Sequence, residues 1–167
     1  MWVARDAFDA LVTGATHSAF RLETREQYNE PGETTPFRRF LAGRPDDLAW
    51  HRPWLEFVAR SSARYRRVRV VSRPFSDYTR FGMVLAARNI AAGEDIRYLD
   101  RATTPAADLP DRDFWLIDSG VVAVLLFDQG NVLTGAEVTS DPDVVDQHIR
   151  WADAAWQAAQ TMARFTT

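Results

Sequence analysis

The chain has 167 residues, 46% of them hydrophobic, and 20 basic against 23 acidic side chains give it a formal charge of -3; this suits one domain with an ordinary core. All 20 basic residues are arginine and cysteine is absent. That excludes a Schiff-base or P-loop lysine, a His-x-Lys phosphodiesterase pair, thiolate nucleophiles, disulfides and cysteine-based zinc sites.

The opening Met1-Trp2-Val3-Ala4-Arg5-Asp6 has no apolar run and no small-residue cleavage site, so the expectation is a cytoplasmic protein without membrane contact. Phe8, Leu11 and Val12 follow at helical spacing. In Phe20-Arg21-Leu22-Glu23-Thr24-Arg25, Arg21, Glu23 and Arg25 alternate with Leu22 and Thr24, the pattern of a short strand or extended segment with its charges on one side. Either ion pairing across a seam or a ligand-contacting lid would use them. Turn-rich residues 28–36 read as a loop. A helix is expected from Pro36 to Leu41, ending at Gly43, and a second from Pro53 to Ser62 with the stripe Trp54, Leu55, Val58 and Ala59. Arg67-Val68-Arg69-Val70-Val71-Ser72 then favours a strand. Six arginines lie between 60 and 73; a nucleic-acid patch and the exposed end of a helix feeding a strand both fit them.

Ser76 or Asp77 can cap the next helix, striped by Tyr78, Phe81, Val84 and Leu85 and closed by Gly93. Residues 101–110 read as a loop. Strands are expected over Asp95 to Leu99, Asp113 to Asp118, Val121 to Phe127 and Val132 to Val138, the last two joined by the turn Asp128-Gln129-Gly130-Asn131. Asp118 should initiate a tight turn. The final helix starts at Asp141-Pro142 with Val145, Ile149, Ala152, Trp156, Ala159 and Met162 inward, leaving Asp146 and His148 on a solvated face. From residue 67 the order is β-α-β-β-β-β-α, preceded by a helical N-terminal extension over residues 1–65. This is an α/β fold, one domain whose core, residues 66–167, is a mixed sheet covered by the crossover and C-terminal helices.

No Gly-x-Gly-x-x-Gly, Gly-x-Ser-x-Gly or His-Glu-x-x-His occurs, and His17, His51 and His148 stand far apart, so no cofactor and no metal are expected. The densest polar constellation is Ser76-Asp77-Tyr78-Thr79-Arg80-Phe81, joined by Asn89, Glu94 and Arg97 around the next helix-to-strand turn. Residues after a parallel strand converge on the carboxyl edge of a sheet, where open α/β folds place ligands. The candidate pocket is therefore Arg69, Asp77, Tyr78, Arg80, Asn89, Glu94 and Arg97, with arginines holding an anionic group and Asp77 or Glu94 orienting it. Alternatively Ser76 and Asp77 only cap the helix, while Arg97 pairs with Glu94 or Asp118. An enzyme would draw its acid/base pair from Asp77 or Glu94 with Tyr78 or His51.

Residues 20–25, Arg67-Val68-Arg69-Val70-Val71-Ser72-Arg73-Pro74-Phe75-Ser76-Asp77-Tyr78, Ala92-Gly93-Glu94-Asp95-Ile96-Arg97-Tyr98-Leu99 and Asp113-Phe114-Trp115-Leu116-Ile117-Asp118 resemble an actinobacterial family of uncharacterised proteins. Its members are often encoded beside small helix-turn-helix regulators. More remotely, residues 60–165 are similar to phospholipase D-like sensor domains of bacterial transcription regulators, which keep half of the phospholipase D fold and commonly lack its catalysis. The resemblances imply a phospholipase D-like sheet and a non-catalytic, ligand- or protein-binding regulatory domain. A helix-turn-helix regulator and an anionic small molecule are its expected partners, and nucleic acid and membrane are not. A small enzyme of specialised metabolism and nucleic-acid binding through residues 60–73 are the alternatives.

Overall fold

Runs that alternate apolar and polar residues, or that are apolar throughout, build the sheet in the computed structural model, which describes residues 1–167. Eight strands form it: β1 (Trp2–Ala4), β2 (Ser18–Glu23), β3 (Arg64–Val71), β4 (Asp95–Asp100), β5 (Phe114–Ile117), β6 (Val121–Phe127), β7 (Leu133–Thr139) and β8 (Gln160–Thr161). Their order is β1-β7-β6-β5-β2-β3-β4-β8. β2, β3 and β4 run parallel, and the remaining pairings are antiparallel. The helices are α1 (Arg5–Thr13), α2 (Thr34–Leu41), α3 (Arg52–Arg60), α4 (Asp77–Ala92), α5 (Thr104–Ala107), α6 (Pro142–Ala158) and α7 (Met162–Phe165), with single 3-10 turns at Pro31–Glu33 and Ala49–His51.

Side-chain parity divides the sheet into two faces. On one face Phe20, Leu22, Val68, Val70, Leu99, Phe114, Leu116 and Val122 pack against Val145, Ala152 and Ala155 of α6. On the other, Ala19, Tyr65, Trp115, Ile117, Ala123 and Leu125 meet Phe8 and Val12 of α1, with Trp54 and Phe57 of α3 against the same cluster. Helix α4 continues that second layer, placing Ala86 on Ile96 and Tyr98. Ser76 caps α4, its hydroxyl accepting from the Thr79 amide, and Gly93 closes it with φ of 113°. That left-handed conformation favours glycine.

The mixed sheet and the α/β class follow the sequence reading, and the expected strands return within a few residues of their ends. The N-terminal third differs. It supplies three helices of four residues or more, yet it also supplies β1 at one edge and β2 in the middle of the sheet. Residue 65 therefore does not separate a helical extension from a sheet core. The segment read as a short strand or extended piece with its charges on one side is a strand, and it is central: its parity places Phe20 and Leu22 in the core while Arg21 and Glu23 face the opposite layer. His148 is the second difference: it is buried, its Nδ1 2.8 Å from the Val144 carbonyl and its ring edge-on to Phe114 and Trp151. Asp118 does start the turn after β5, with φ of 50°, and it also accepts the amides of Thr16, His17 and Ser18 ahead of β2.

Candidate functional site

The same parity that buries Val68 and Val70 beneath α6 sends Arg67 and Arg69 to the opposite face. Arg21 and Glu23 of β2 face that way too. In the parallel register Arg21 lies beside Arg67 and Glu23 beside Arg69, an arrangement that like-charge repulsion would oppose without a counter-ion. Glu23 supplies it. Its carboxylate takes Nη1 of Arg21 at 3.1 Å, of Arg67 at 2.7 Å and of Arg69 at 3.0 Å. Glu94 accepts from Arg67 Nε at 3.0 Å, Trp54 Nε1 at 3.1 Å and Asn89 Nδ2 at 2.7 Å. Asp113 accepts from the Thr24 amide at 2.8 Å and the Tyr28 hydroxyl at 2.5 Å, and lies 3.7 Å from Arg21. Three guanidinium groups thus meet three carboxylates, each of those acids only 2% exposed.

Burial alone would raise the Glu23 carboxyl; the three arginines overcome it and hold the group at about 2. For Arg67 and Arg69 burial pulls downward, but Glu94 and Glu23 on Arg67, and Glu23 and the tyrosines on Arg69, keep both well above the ordinary arginine value. Glu23, Arg67 and Arg69 are thereby held in their charged forms, and burial strengthens the charge-assisted hydrogen bonds between them.

Above this floor lies a cavity of about 510 Å³, within the range of small-molecule sites. Helices α1, α3 and α4, the Ala49–His51 turn and a strap over residues 24–33 enclose it. Trp50, Trp54, Trp115 and Phe8 give it aromatic walls. The Arg69 guanidinium is flanked by the rings of Tyr28 at 5.4 Å and Tyr78 at 5.5 Å, and Gly82 of α4 passes close enough that a Cβ there would lie 3.8 Å from Arg69 Cζ. His51 Nε2 is 2.5 Å from Asn89 Oδ1; burial lowers the His51 pKa against the raising effect of that bond. At the rim the Tyr78 hydroxyl donates to Glu33 at 2.8 Å. Burial, reinforced by nearby Glu30 and Glu23 and opposed by the Tyr78 bond and Arg69, lifts Glu33 to about 7. Tyr28 and Tyr78 are pushed upward by burial and adjacent carboxylates and stay phenolic.

Of the seven residues expected to form the pocket, Arg69, Tyr78 and Asn89 line the cavity, and Glu94 braces it from beneath. The other three lie elsewhere. Asp77 and Arg80 are exposed on the outer side of α4, 3.6 Å apart, because its inward positions are Tyr78, Gly82, Leu85 and Asn89. Arg97 is on the α6 face, since its strand partner is Val68; it donates to the Trp156 carbonyl at 3.2 Å and stacks 3.9 Å from that ring. It pairs with neither Glu94 nor Asp118. The site spans the face of the sheet and not its carboxyl edge. Its other members are Arg21, Glu23, Arg67, Tyr28, Glu33 and Asp113. Strand parity was the signal for the first three; nothing local marked the last three. The arginines of residues 60–73 diverge: Arg67 and Arg69 enter the cavity, Arg66 lies 5.1 Å from the Trp156 ring on the opposite face, and Arg73 binds Asp100 and the Phe165 carbonyl.

No group of three or more histidine, aspartate or glutamate side chains is arranged to hold a metal ion, and no helix is long and apolar enough to cross a membrane. Residues 6–167 match a family described as a domain of unknown function (DUF6879). No curated protein matches the chain.

Proposed function

The chain belongs to the DUF6879 family, and we propose that it is a non-catalytic ligand-binding domain whose site is the cavity between the sheet and α1, α3 and α4. The observation that carries this reading is the floor. Three arginines and three buried carboxylates, mutually paired, hold fixed donors under aromatic walls. Such preorganisation lowers the ordering cost of binding. Asp77 is exposed and Glu94 is engaged by three donors, so neither acid is placed to exchange protons with a ligand.

The resemblance to an actinobacterial family encoded beside helix-turn-helix regulators, and to phospholipase D-like sensor domains, supports a regulatory role in the cytoplasm with such a regulator as partner. In that role ligand occupancy is the signal. The test is equilibrium dialysis of the purified chain against a fractionated metabolite extract, followed by mass spectrometry. Retained compounds should be recovered unchanged and should be lost with Gly82→Leu, which fills the space beside Arg69. Retention of nothing, or retention indifferent to Gly82→Leu, refutes the reading.

A second reading is catalysis, favoured by the Tyr78–Glu33 pair, whose carboxyl, lifted by burial to about 7, is matched to general acid–base work. It predicts that a retained compound is converted, and that Glu33→Gln stops conversion without stopping retention.

A further inference from the structure

Among the fully buried polar atoms of the cavity residues, those with no partner are all donors: Arg21 Nε, Arg69 Nε, Arg69 Nη2 and Trp50 Nε1. No carboxylate, hydroxyl or amide oxygen of the lining shares that condition. Buried donors without acceptors are costly, so a ligand that supplies acceptors relieves a cost already present in the free protein. Arg69 makes this specific. Its Nη1 is committed to Glu23 at 3.0 Å, whereas Nε and Nη2 together form the side-on edge of the guanidinium, the fork that takes a carboxylate or phosphate through two parallel hydrogen bonds. The residue is 7% exposed, and no protein group answers that fork.

Charge selects between the two anions. The positive charges of Arg21, Arg67 and Arg69 are already matched by Glu23, Glu94 and Asp113; Glu30 and Glu33 also line the cavity, and its fourth arginine, Arg5, is already paired with Glu30 and Asp9. A dianionic phosphate would meet these acids without a compensating free cation, while a singly charged carboxylate carries half that penalty. The walls select the rest of the molecule: the indoles of Trp50, Trp54 and Trp115 favour a flat apolar body. Resting on the reading of this cavity as a ligand site, we infer that its ligand is a planar, aromatic-type monocarboxylate whose carboxylate seats on the Nε/Nη2 fork of Arg69. Tyr28 and Tyr78 flank the guanidinium without taking either atom of the fork.

Isothermal titration of the full chain with 2-naphthoate and with 2-naphthamide, which keeps the shape but not the charge, tests this. The carboxylate should bind at least tenfold more tightly than the amide. Arg69→Lys, which keeps a cation for Glu23 but not the fork, should lose most of that advantage. Equal or tighter binding of the amide, or naphthoate affinity unchanged in Arg69→Lys or in Gly82→Leu, overturns the ligand class. Should Arg69→Lys fail to fold, the carboxylate-to-amide ratio on the unmodified chain decides alone. If neither naphthalene compound binds while metabolites are retained in a manner lost with Gly82→Leu, the ligand class falls and the cavity reading stands; if retention fails as well, both fall.

Discussion

Replacing Glu23 by glutamine removes one charge and exposes what it was holding. The glutamine is nearly isosteric, so packing is preserved, but Arg21, Arg67 and Arg69 lose their common counter-ion at a position 2% exposed. A carboxyl held at about 2 where its ordinary value is 4.5 contributes about 3 kcal/mol of stability at neutral pH. Removing one partner of a buried ion network costs on the order of 3–5 kcal/mol, and the two routes agree. Because the folded value is depressed, the contribution is complete above pH 4.5 and is lost as pH falls toward about 2. Urea titration at pH 7 should therefore show Glu23→Gln less stable by about 3–4 kcal/mol, a midpoint lower by 1 M or more for an m value of about 1–3 kcal/mol/M. The difference between the two proteins should shrink as the titration is repeated below pH 4. A loss under about 1 kcal/mol at pH 7 would refute the claim that Glu23 is the shared counter-ion of the three arginines.

Glu33 gives the opposite pH dependence. Its carboxyl is raised to about 7 from an ordinary 4.5, so ionisation destabilises the fold progressively as pH rises from 4.5 to 7 and evenly beyond. Glu33→Gln should therefore match the parent protein near pH 4.5 and melt higher than it at pH 8; equal melting temperatures at pH 8 would exclude the raised value. Gly135→Ala tests the sheet edge. A Cβ there would sit 2.3 Å from the Val3 carbonyl oxygen, so β1 must shift; a cost of about 1–3 kcal/mol and faster hydrogen exchange at residues 2–4 are expected, and unchanged exchange would count against the β1–β7 pairing.

How much of this was legible beforehand depends on the range of each signal. Arg67-Val68-Arg69-Val70 states its own parity, and the caps Ser76 and Gly93 mark the helix that follows, so Arg69, Tyr78 and Asn89 were within reach. Arg97 went astray because the parity of β4 is anchored by Leu99 on the α6 face, which puts Arg97 there and Tyr98 in the cavity. Asp77 and Arg80 differ through helical phase: one and two residues from Tyr78 in sequence, they lie on the exposed side of α4. Glu33 and Tyr28 lie in a segment with no periodicity at all. Their roles arise from what Tyr78 and Asp113 offer from distant parts of the chain, and such information is absent from local pattern. The centrality of β2 is a further long-range fact, set by its pairing with both β3 and β5.

That pairing has a practical corollary for anyone who divides the molecule. A cut between β2 and β3 leaves Glu23 on one piece and Arg67 and Arg69 on the other, so each fragment carries half of an ion network and an unpaired sheet edge. Neither half owns the cavity. The cavity is a property of reassembly, and its occupancy would serve as a direct readout of fragment complementation.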